Sequence, residues 1–369
     1  MSSFQLFFPK KPCEEAIRKW LEVKVRKQLP LQGGVSGANV YFIDAEIAFP
    51  GLHATKPKQL KFVIKFSSSL SFDEEKKRFR ELPDELKKWF IDFATQRTLS
   101  DGDFFMIMPY LDKYQTLAFL INHGKVEQVK EIIQKVWEAC KGIHFWEDKM
   151  NKSANPFEKR QPDVGKLCTL YLGGIKTSLD KSRRIVDFLK DQERGFEANK
   201  HRFSSPRFYL EEILKKAPEI SPCFSTLTHG DFHSRNILIL PSNLDLKLID
   251  IGNFQSDGDY IYDIGTLVAD LETFNPILQG RLPHFGLTEI SENTFSYTFP
   301  RSPNVSTAIE SLMGNVRKLA DELGDEKWQT RLSLAKARYL LDMVSRTDNY
   351  DKAFVVYCEG LKALSSSIE

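Results

Sequence analysis

The chain has 369 residues, 41% of them hydrophobic and 28% charged, and 52 basic against 50 acidic side chains leave a formal net charge of +2. That mixed charge excludes the concentrated basic stripe of a nucleic-acid binder, and the apolar fraction suffices for two lobes with cores of their own. Five dispersed cysteines, Cys13, Cys140, Cys168, Cys223 and Cys358, form no CxxC pair, and no apolar run is long enough for a signal peptide or a membrane span. The expectation is a cytoplasmic protein with reduced thiols, no zinc site and no membrane contact.

In chain order, Ile17, Trp20, Leu21 and Val25 recur at three- and four-residue spacing and predict a leading helix over residues 14–27. Gly33, Gly34, Ser36 and Gly37 follow, then Val40–Ile43 as a strand. Pro50, Gly51 and Pro57 mark a loop, and Leu60–Phe66 (LKFVIKF) alternates as a half-buried strand. Ser71 with Glu74 forms a capping-box pattern for a helix that Pro83 ends. Phe90–Leu99 and Asp103–Pro109 read as strands around a Ser100-Asp101-Gly102 turn. After Tyr110 the pattern turns helical: Val126, Val129, Ile133, Val136, Trp137, Cys140 and Ile143 trace one buried face. Residues 147–166 read as a polar excursion, and helices are expected over 176–199 and 207–216. Leu227–Leu248 is strand-like around a Pro241-Ser242-Asn243 turn. Helix resumes from Ile261, interrupted by a Pro- and aromatic-containing loop at 281–303.

The chemistry concentrates in LTHGDFHSRNILIL (227–240) and LKLIDIGN (246–253). Asp231 and Asn236 stand five apart in a polar loop before an apolar strand, and Asp250 ends the strand that would pair with it. A hairpin would gather all three. Phosphoryl transfer needs a carboxylate to orient and deprotonate the acceptor hydroxyl, and an amide oxygen with a second carboxylate to hold magnesium. The bland alternative is a solvated hairpin whose Asp and Asn only shape turns.

HGDFHSRN resembles the HGDxHxxN catalytic loop of the aminoglycoside phosphotransferase and choline kinase superfamily, and LIDIGN resembles its magnesium-binding strand end. GDYIYDIG (258–265) is similar to the segment that follows, where the aspartate matching Asp263 braces the loop from behind. The resemblance implies a two-lobed, protein-kinase-like α+β fold: an N-terminal β-rich nucleotide lobe (1–107), a hinge (108–112) and a mainly α-helical C-terminal lobe (113–369) with the catalytic β-hairpin embedded in it. It implies ATP and Mg2+ as cofactors and a small-molecule hydroxyl as acceptor. Asp231 would be the base, Asn236 and Asp250 the metal ligands, and His233 would help to shape the loop.

Lys65 ends FVIK, which resembles the VAIK strand of kinases and would anchor the α- and β-phosphates; the alternative is an edge-strand lysine facing water. Glu75 shares a helix face with Phe79 and Leu82 and would pair with Lys65, with Glu74 and Glu81 as the other candidates. Gly33, Gly34, Ser36 and Gly37 would cover phosphates with backbone N–H groups. Met108 and Tyr110 fall at the hinge, where backbone would meet adenine and Ile107, Met108 and Ile249 would wall the ring. His144 reads as a helix-terminal hydrogen-bonding residue, and Trp137 and Trp146 as core.

The expected function is ATP- and magnesium-dependent transfer of the γ-phosphoryl group to a small-molecule hydroxyl. A protein kinase is disfavoured because only twelve residues separate Asp250 from Asp263, with no APE-like triplet after them. A nucleotide-binding pseudokinase acting as a regulatory module, or a binding module without nucleotide, are the remaining alternatives. The acceptor pocket is expected from residues 147–166 and from Phe285, Phe295, Tyr297 and Phe299. Aromatics and the acidic Glu289, Glu292, Asp321 and Glu322 leave open whether it is of the aminoglycoside or the choline type.

Overall fold

Alternating apolar residues draw the first part of the chain into one antiparallel sheet. The computed structural model describes residues 23–30, 39–47, 58–67, 71–92, 95–98, 104–146, 157–182, 195–278, 286–291, 293–298, 302–347 and 349–369. Two compact units emerge, residues 1–114 with 247–252, and residues 115–246 with 253–369. Residues 247–252, which the sequence reading placed with the helical lobe, cluster with the first unit.

In the first unit, β1 (Val23–Pro30), β2 (Asn39–Ile47), β3 (Lys58–Ser67), β4 (Thr95–Thr98) and β5 (Phe104–Pro109) form a sheet of order β1-β2-β3-β5-β4. Neighbouring strands are all antiparallel. Directly opposed residues share a face. Ile43 lies opposite Phe62, and Ile64 opposite Ile107, and all four are buried as one apolar layer. The helix Ser71–Glu81 follows β3, and a short helix, Asp84–Lys87, starts after Pro83.

Two expectations fail here. Residues 23–27 lie in β1 and are not helical. Val23-Lys24-Val25-Arg26 already alternates with the period of a strand, and β2 supplies the hydrogen-bonding partner. The part of the predicted helix before residue 23 lies outside the described residues, as do Gly33, Gly34, Ser36 and Gly37 and the Ser100–Gly102 turn. The expected strand from Phe90 is also different. Among the described residues only Thr95–Thr98 of this stretch pairs with β5, whereas Phe90 bridges in parallel to Leu248.

The second unit is mainly helical. The helix Val126–His144 buries Val129, Ile133, Val136 and Ile143 on one face and packs against the helix Pro303–Leu323. Helices Tyr260–Ala269 and Tyr350–Ser366 pack on Trp328–Val344. Within the second unit, β9 (Thr226–Thr228) pairs with β12 (Gln255–Gly258). A second sheet runs β11-β10-β6 through β6 (Gln115–Thr116), β10 (Ile237–Leu240) and β11 (Asp245–Leu248), and the chain passes from the second unit into the first along β11.

The third small sheet corrects two predictions, since parts of the expected helix 176–199 and of the expected loop 281–303 are strands. β7 (Phe196–Ala198), β8 (His201–Phe203), β13 (Gly286–Ser291) and β14 (Thr294–Thr298) run in the order β13-β14-β7-β8. Asn199 and Lys200 both have positive φ, 50° and 64°, and close a two-residue hairpin between β7 and β8. Phe295 and Tyr297, expected in an acceptor pocket, are buried. Phe295 packs on Phe196 and Phe354, and Tyr297 donates its hydroxyl to Glu359 at 2.7 Å. Their alternation on β14 makes them core. Phe285, Glu292 and Phe299 lie outside the described residues. Among the described residues Cys140, Cys168, Cys223 and Cys358 are free thiols, and no helix is long and apolar enough to cross a membrane.

Candidate active site

In the first unit β3 is a central strand, so Lys65 cannot be an edge lysine. It lies opposite Val40 of β2 and Met106 of β5 and is only 8% exposed. Its ammonium donates to a carboxylate oxygen of Asp250 and reaches Glu75 Oε2 at 3.5 Å. Of the three helix glutamates considered, Glu75 is buried, while Glu81 is exposed and near Lys77 at 3.9 Å. The side chain of Glu74 lies outside the described residues.

Asp250 is placed by main-chain bonds. Leu248 donates its N–H to Trp89 at 2.7 Å, and its carbonyl accepts from Ile91 at 3.1 Å. Two residues on, Asp250 turns into left-handed backbone with φ 62°. Asparagine and aspartate tolerate that region best among non-glycine residues, so the turn itself favours an aspartate here.

Two carboxylates sharing one ammonium create an uneven balance. Burial disfavours the charge on Lys65, but Asp250 and Glu75 outweigh it and hold its pKa above the ordinary lysine value. Glu75 moves against its ion pair. Burial pushes its pKa up to about 7, with Asp250 adding to the rise while Lys65 and a backbone hydrogen bond from Ile251 oppose it. Asp250 therefore holds the lysine, and Glu75 is the secondary partner at the longer distance. Met108 and Val63 share the Lys65 face of the sheet, whereas Ile107 pairs with Ile64 on the opposite face. Ile107 thus cannot wall a ring that Met108 walls. Tyr110 stands just past β5, donates its N–H to the Lys61 carbonyl at 3.4 Å and packs edge-on against Phe42.

In the second unit the segment HGDFHSRN joins β9 to β10. Gly230 has φ 80°, and a Cβ there would lie 2.1 Å from the Asn253 carbonyl, so only glycine fits. Asn236 donates its amide nitrogen to the Asp231 carbonyl at 3.0 Å and to Asp231 Oδ2 at 3.3 Å. That commitment fixes the amide and leaves Oδ1 as the atom it can offer a cation. His233 is buried, donates its N–H to the Asp231 carbonyl and places Nε2 3.7 Å from Asp231 Oδ2.

Asp263, fully buried, accepts the N–H of His229 at 2.7 Å and of Gly230 at 2.9 Å, and His144 Nε2 lies 2.9 Å from it. The helix-terminal His144 is thus part of the brace. Asp259 anchors the start of the same helix. It caps Ile261 at 3.2 Å and accepts from Arg331 at 2.7 Å and from the Tyr171 hydroxyl at 2.6 Å. Arg331 in turn holds Asp325 through two bonds, at 3.1 and 2.6 Å.

Sequence reasoning missed Asp270, Arg235, Tyr262 and Tyr339 around this loop. Burial pushes the Tyr262 phenol up to about 12, with Arg338 opposing and Asp231 adding to the rise, which places it in the field of the candidate base. A signal was available in YDIGTLVAD, an apolar helical stretch with carboxylates at 263 and 270. Buried carboxylates in such a stretch must find donors.

The sites present hard oxygen donors, Asp250 and Asn236, and a buried lysine, and this chemistry fits magnesium and a nucleotide phosphate. No match to a curated protein was found. Among solved structures, the apo form of a thermostable mutant of aminoglycoside phosphotransferase APH(4)-Ia is similar, with TM-score 0.57 at 16% identity, over 96% of this chain and 98% of that one. A ternary complex of a mutant of that enzyme with ADP and hygromycin B gives 0.54 at 15%, over 96% and 97%. The GDP and kanamycin complex of APH(2")-IIia gives 0.53 at 14%, over 97% and 98%. At these identities the likeness is one of fold, the kinase-like α+β fold with a sheet lobe and a helical region. The profile of the phosphotransferase enzyme family (APH) matches residues 28–284, well over half of the chain, and the protein belongs to that family.

Proposed function

We propose that this protein transfers the γ-phosphoryl group of ATP directly to a hydroxyl of a small molecule, with magnesium as cofactor. The observation that carries the reading is the Asn236 amide spent on Asp231. It orients a carboxylate and an amide oxygen as a fixed pair in the loop that begins HGD. Solved structures of similar fold hold ADP with hygromycin B, or GDP with kanamycin, which supports a nucleotide donor and a small-molecule acceptor.

In this reading Asp231 orients the acceptor hydroxyl and takes its proton as the oxygen attacks the γ-phosphorus. The bond to the β-phosphate oxygen breaks and ADP departs, with no phosphoenzyme. Lys65 holds the α- and β-phosphates as a point charge, and Glu75 keeps the ammonium from swinging away. Asn236 and Asp250 would hold the magnesium, which neutralises charge on the phosphates when bound. Met108 and Tyr110 would meet the adenine through their backbone, and Gly33, Gly34, Ser36 and Gly37 would cover the phosphates. The test is a coupled ADP-release screen across hydroxyl compounds, aminoglycosides and amino alcohols included. A hydroxyl-dependent rise in ADP supports the reading. Calorimetry showing no heat for ATP or GTP with magnesium at millimolar concentrations would overturn it.

A further inference from the structure

The helical segment starting at Tyr260 carries two fully buried carboxylates, Asp263 and Asp270, and both face the HGDFHSRN loop. Seven residues are close to two helical turns, so side chains seven apart leave nearly the same face about 10 Å from each other. Asp263 takes the amides of His229 and Gly230 at the front of the loop. Asp270 takes the back. It accepts the Ser234 N–H at 2.9 Å and also the Ser234 hydroxyl.

The other neighbours of Asp270 are donors too. Tyr339 donates its hydroxyl at 2.7 Å, while Arg235 Nη2 stands off at 3.7 Å. The closest partners are therefore the loop and a tyrosine, and the arginine is a secondary partner. The helix changes to a π turn at Asp270 itself, running to Phe274. Such turns insert a residue and re-aim the side chains around them, often beside functional groups. Burial would raise the Asp270 pKa, yet Arg235, His233 and the Ser234 and Tyr339 bonds hold it below the ordinary carboxylate value. Ser234 is pinned on its other side as well, since its carbonyl accepts the Ala118 N–H at 3.2 Å.

We infer that Asp270 is a positioning residue for the phosphotransfer loop: Asp263 and Asp270 clamp its two ends, and Asp270, through Ser234, sets where Asn236 presents its amide oxygen. The inference rests on the phosphotransferase reading of Asp231 and Asn236. Asn236 follows Ser234 by two residues, and its own N–H is tied back to the His233 carbonyl at 2.9 Å. A shift at Ser234 therefore moves the metal-facing amide directly, while the front of the loop stays held by Asp263.

The experiment compares Asp270→Asn, Ser234→Ala and Asp263→Asn with the parent chain at full length. In the nucleotide-free protein, amide hydrogen exchange at residues 233–236 should rise about tenfold in the first two variants, as loss of a charge-assisted bond implies, and stay unchanged at 228–230. Asp263→Asn should do the reverse. Background ATP turnover should fall by up to about a hundredfold in Asp270→Asn, because small misplacements of a positioned group have effects of that size. The magnesium concentration for half-maximal turnover should rise, while magnesium-free ATP affinity from calorimetry should stay within about twofold of the parent. Unchanged exchange at 233–236, or turnover and magnesium half-saturation both within about twofold of the parent, would overturn the inference. If Asp270→Asn does not fold, Ser234→Ala decides, since it removes one hydroxyl. A parent chain without any magnesium-dependent ATP turnover would sink the phosphotransferase reading instead, and the exchange measurement would still decide the clamp.

Discussion

In the second unit Asp263 accepts two backbone amides and lies against the His144 ring, and Asp259 meets an arginine, a tyrosine and a helix amide. In the first unit Glu75 and Asp250 share the ammonium of Lys65, and Glu75 Oε1 is buried with no hydrogen-bond partner among the described residues. The second arrangement is electrostatically closed: each negative charge meets several fixed donors, which favours a single loop geometry. The first carries more carboxylate than cation and keeps binding capacity in reserve. In the proposed reading, rigidity resides around the base Asp231 and the amide of Asn236, and surplus charge around Lys65, which would hold the phosphates.

The largest expected effect breaks the closed side at the proposed base. Asp231→Asn keeps the side chain's size and one acceptor but cannot take a proton. Turnover should fall by about 10²–10⁴-fold with the ATP dissociation constant nearly unchanged. Steady-state ADP release with calorimetry on the same preparation checks both halves, and retention of more than about a tenth of parental turnover would remove Asp231 as base. Next comes the support behind the loop. Arg331 is 1% exposed and bonds Asp259 and Asp325. Arg331→Met leaves two buried carboxylates without their cation, which should cost about 3–5 kcal/mol of unfolding free energy in a urea titration. On the open side, Lys65→Ala should weaken nucleotide binding about tenfold to a hundredfold with or without magnesium, the range expected for one charged hydrogen-bonding group. A variant that binds ATP like the parent would detach Lys65 from the nucleotide.

Which parts were legible follows from how local each signal was. HGDFHSRN, FVIK and LIDIGN place their polar residues next to one another in sequence, so Asp231, Asn236, Lys65 and Asp250 could be proposed from spacing and resemblance. The face shared by Glu75, Phe79 and Leu82 singled out the buried glutamate because helical periodicity is itself local. Asp270 was invisible, because its meaning depends on Ser234 and Tyr339, which are 36 and 69 residues away. The β7–β8 hairpin escaped for a related reason. Its strands have three residues each, too short for a period to show, and β7 is completed by a parallel partner, β14, nearly a hundred positions later. The first strand was misread because Val25 fits both a helical and an alternating pattern, and only pairing with β2 settles which one wins.

The smallest expected effect sharpens the contrast through pH. Burial raises the Glu75 pKa from 4.5 to about 7 in the folded protein, while the unfolded chain keeps the ordinary value. Between those two values the folded state binds more protons than the unfolded state, so stability falls as pH rises through this window and levels off above it. The direction is opposite to that of Asp270. The folded pKa of Asp270 is lowered, so its contribution is present above the ordinary carboxylate pKa and is lost as pH falls through the folded value. Glu75→Gln keeps the shape, removes the titrating charge and leaves Lys65 with Asp250. The variant should therefore lose the decline in stability between about pH 5 and 7, a difference of order 1 kcal/mol. Thermal unfolding of parent and variant at pH 5, 6, 7 and 8 measures it directly. Parallel curves would mean that Glu75 is fully compensated by Lys65, and the open, charge-surplus character assigned to the first unit would then be wrong.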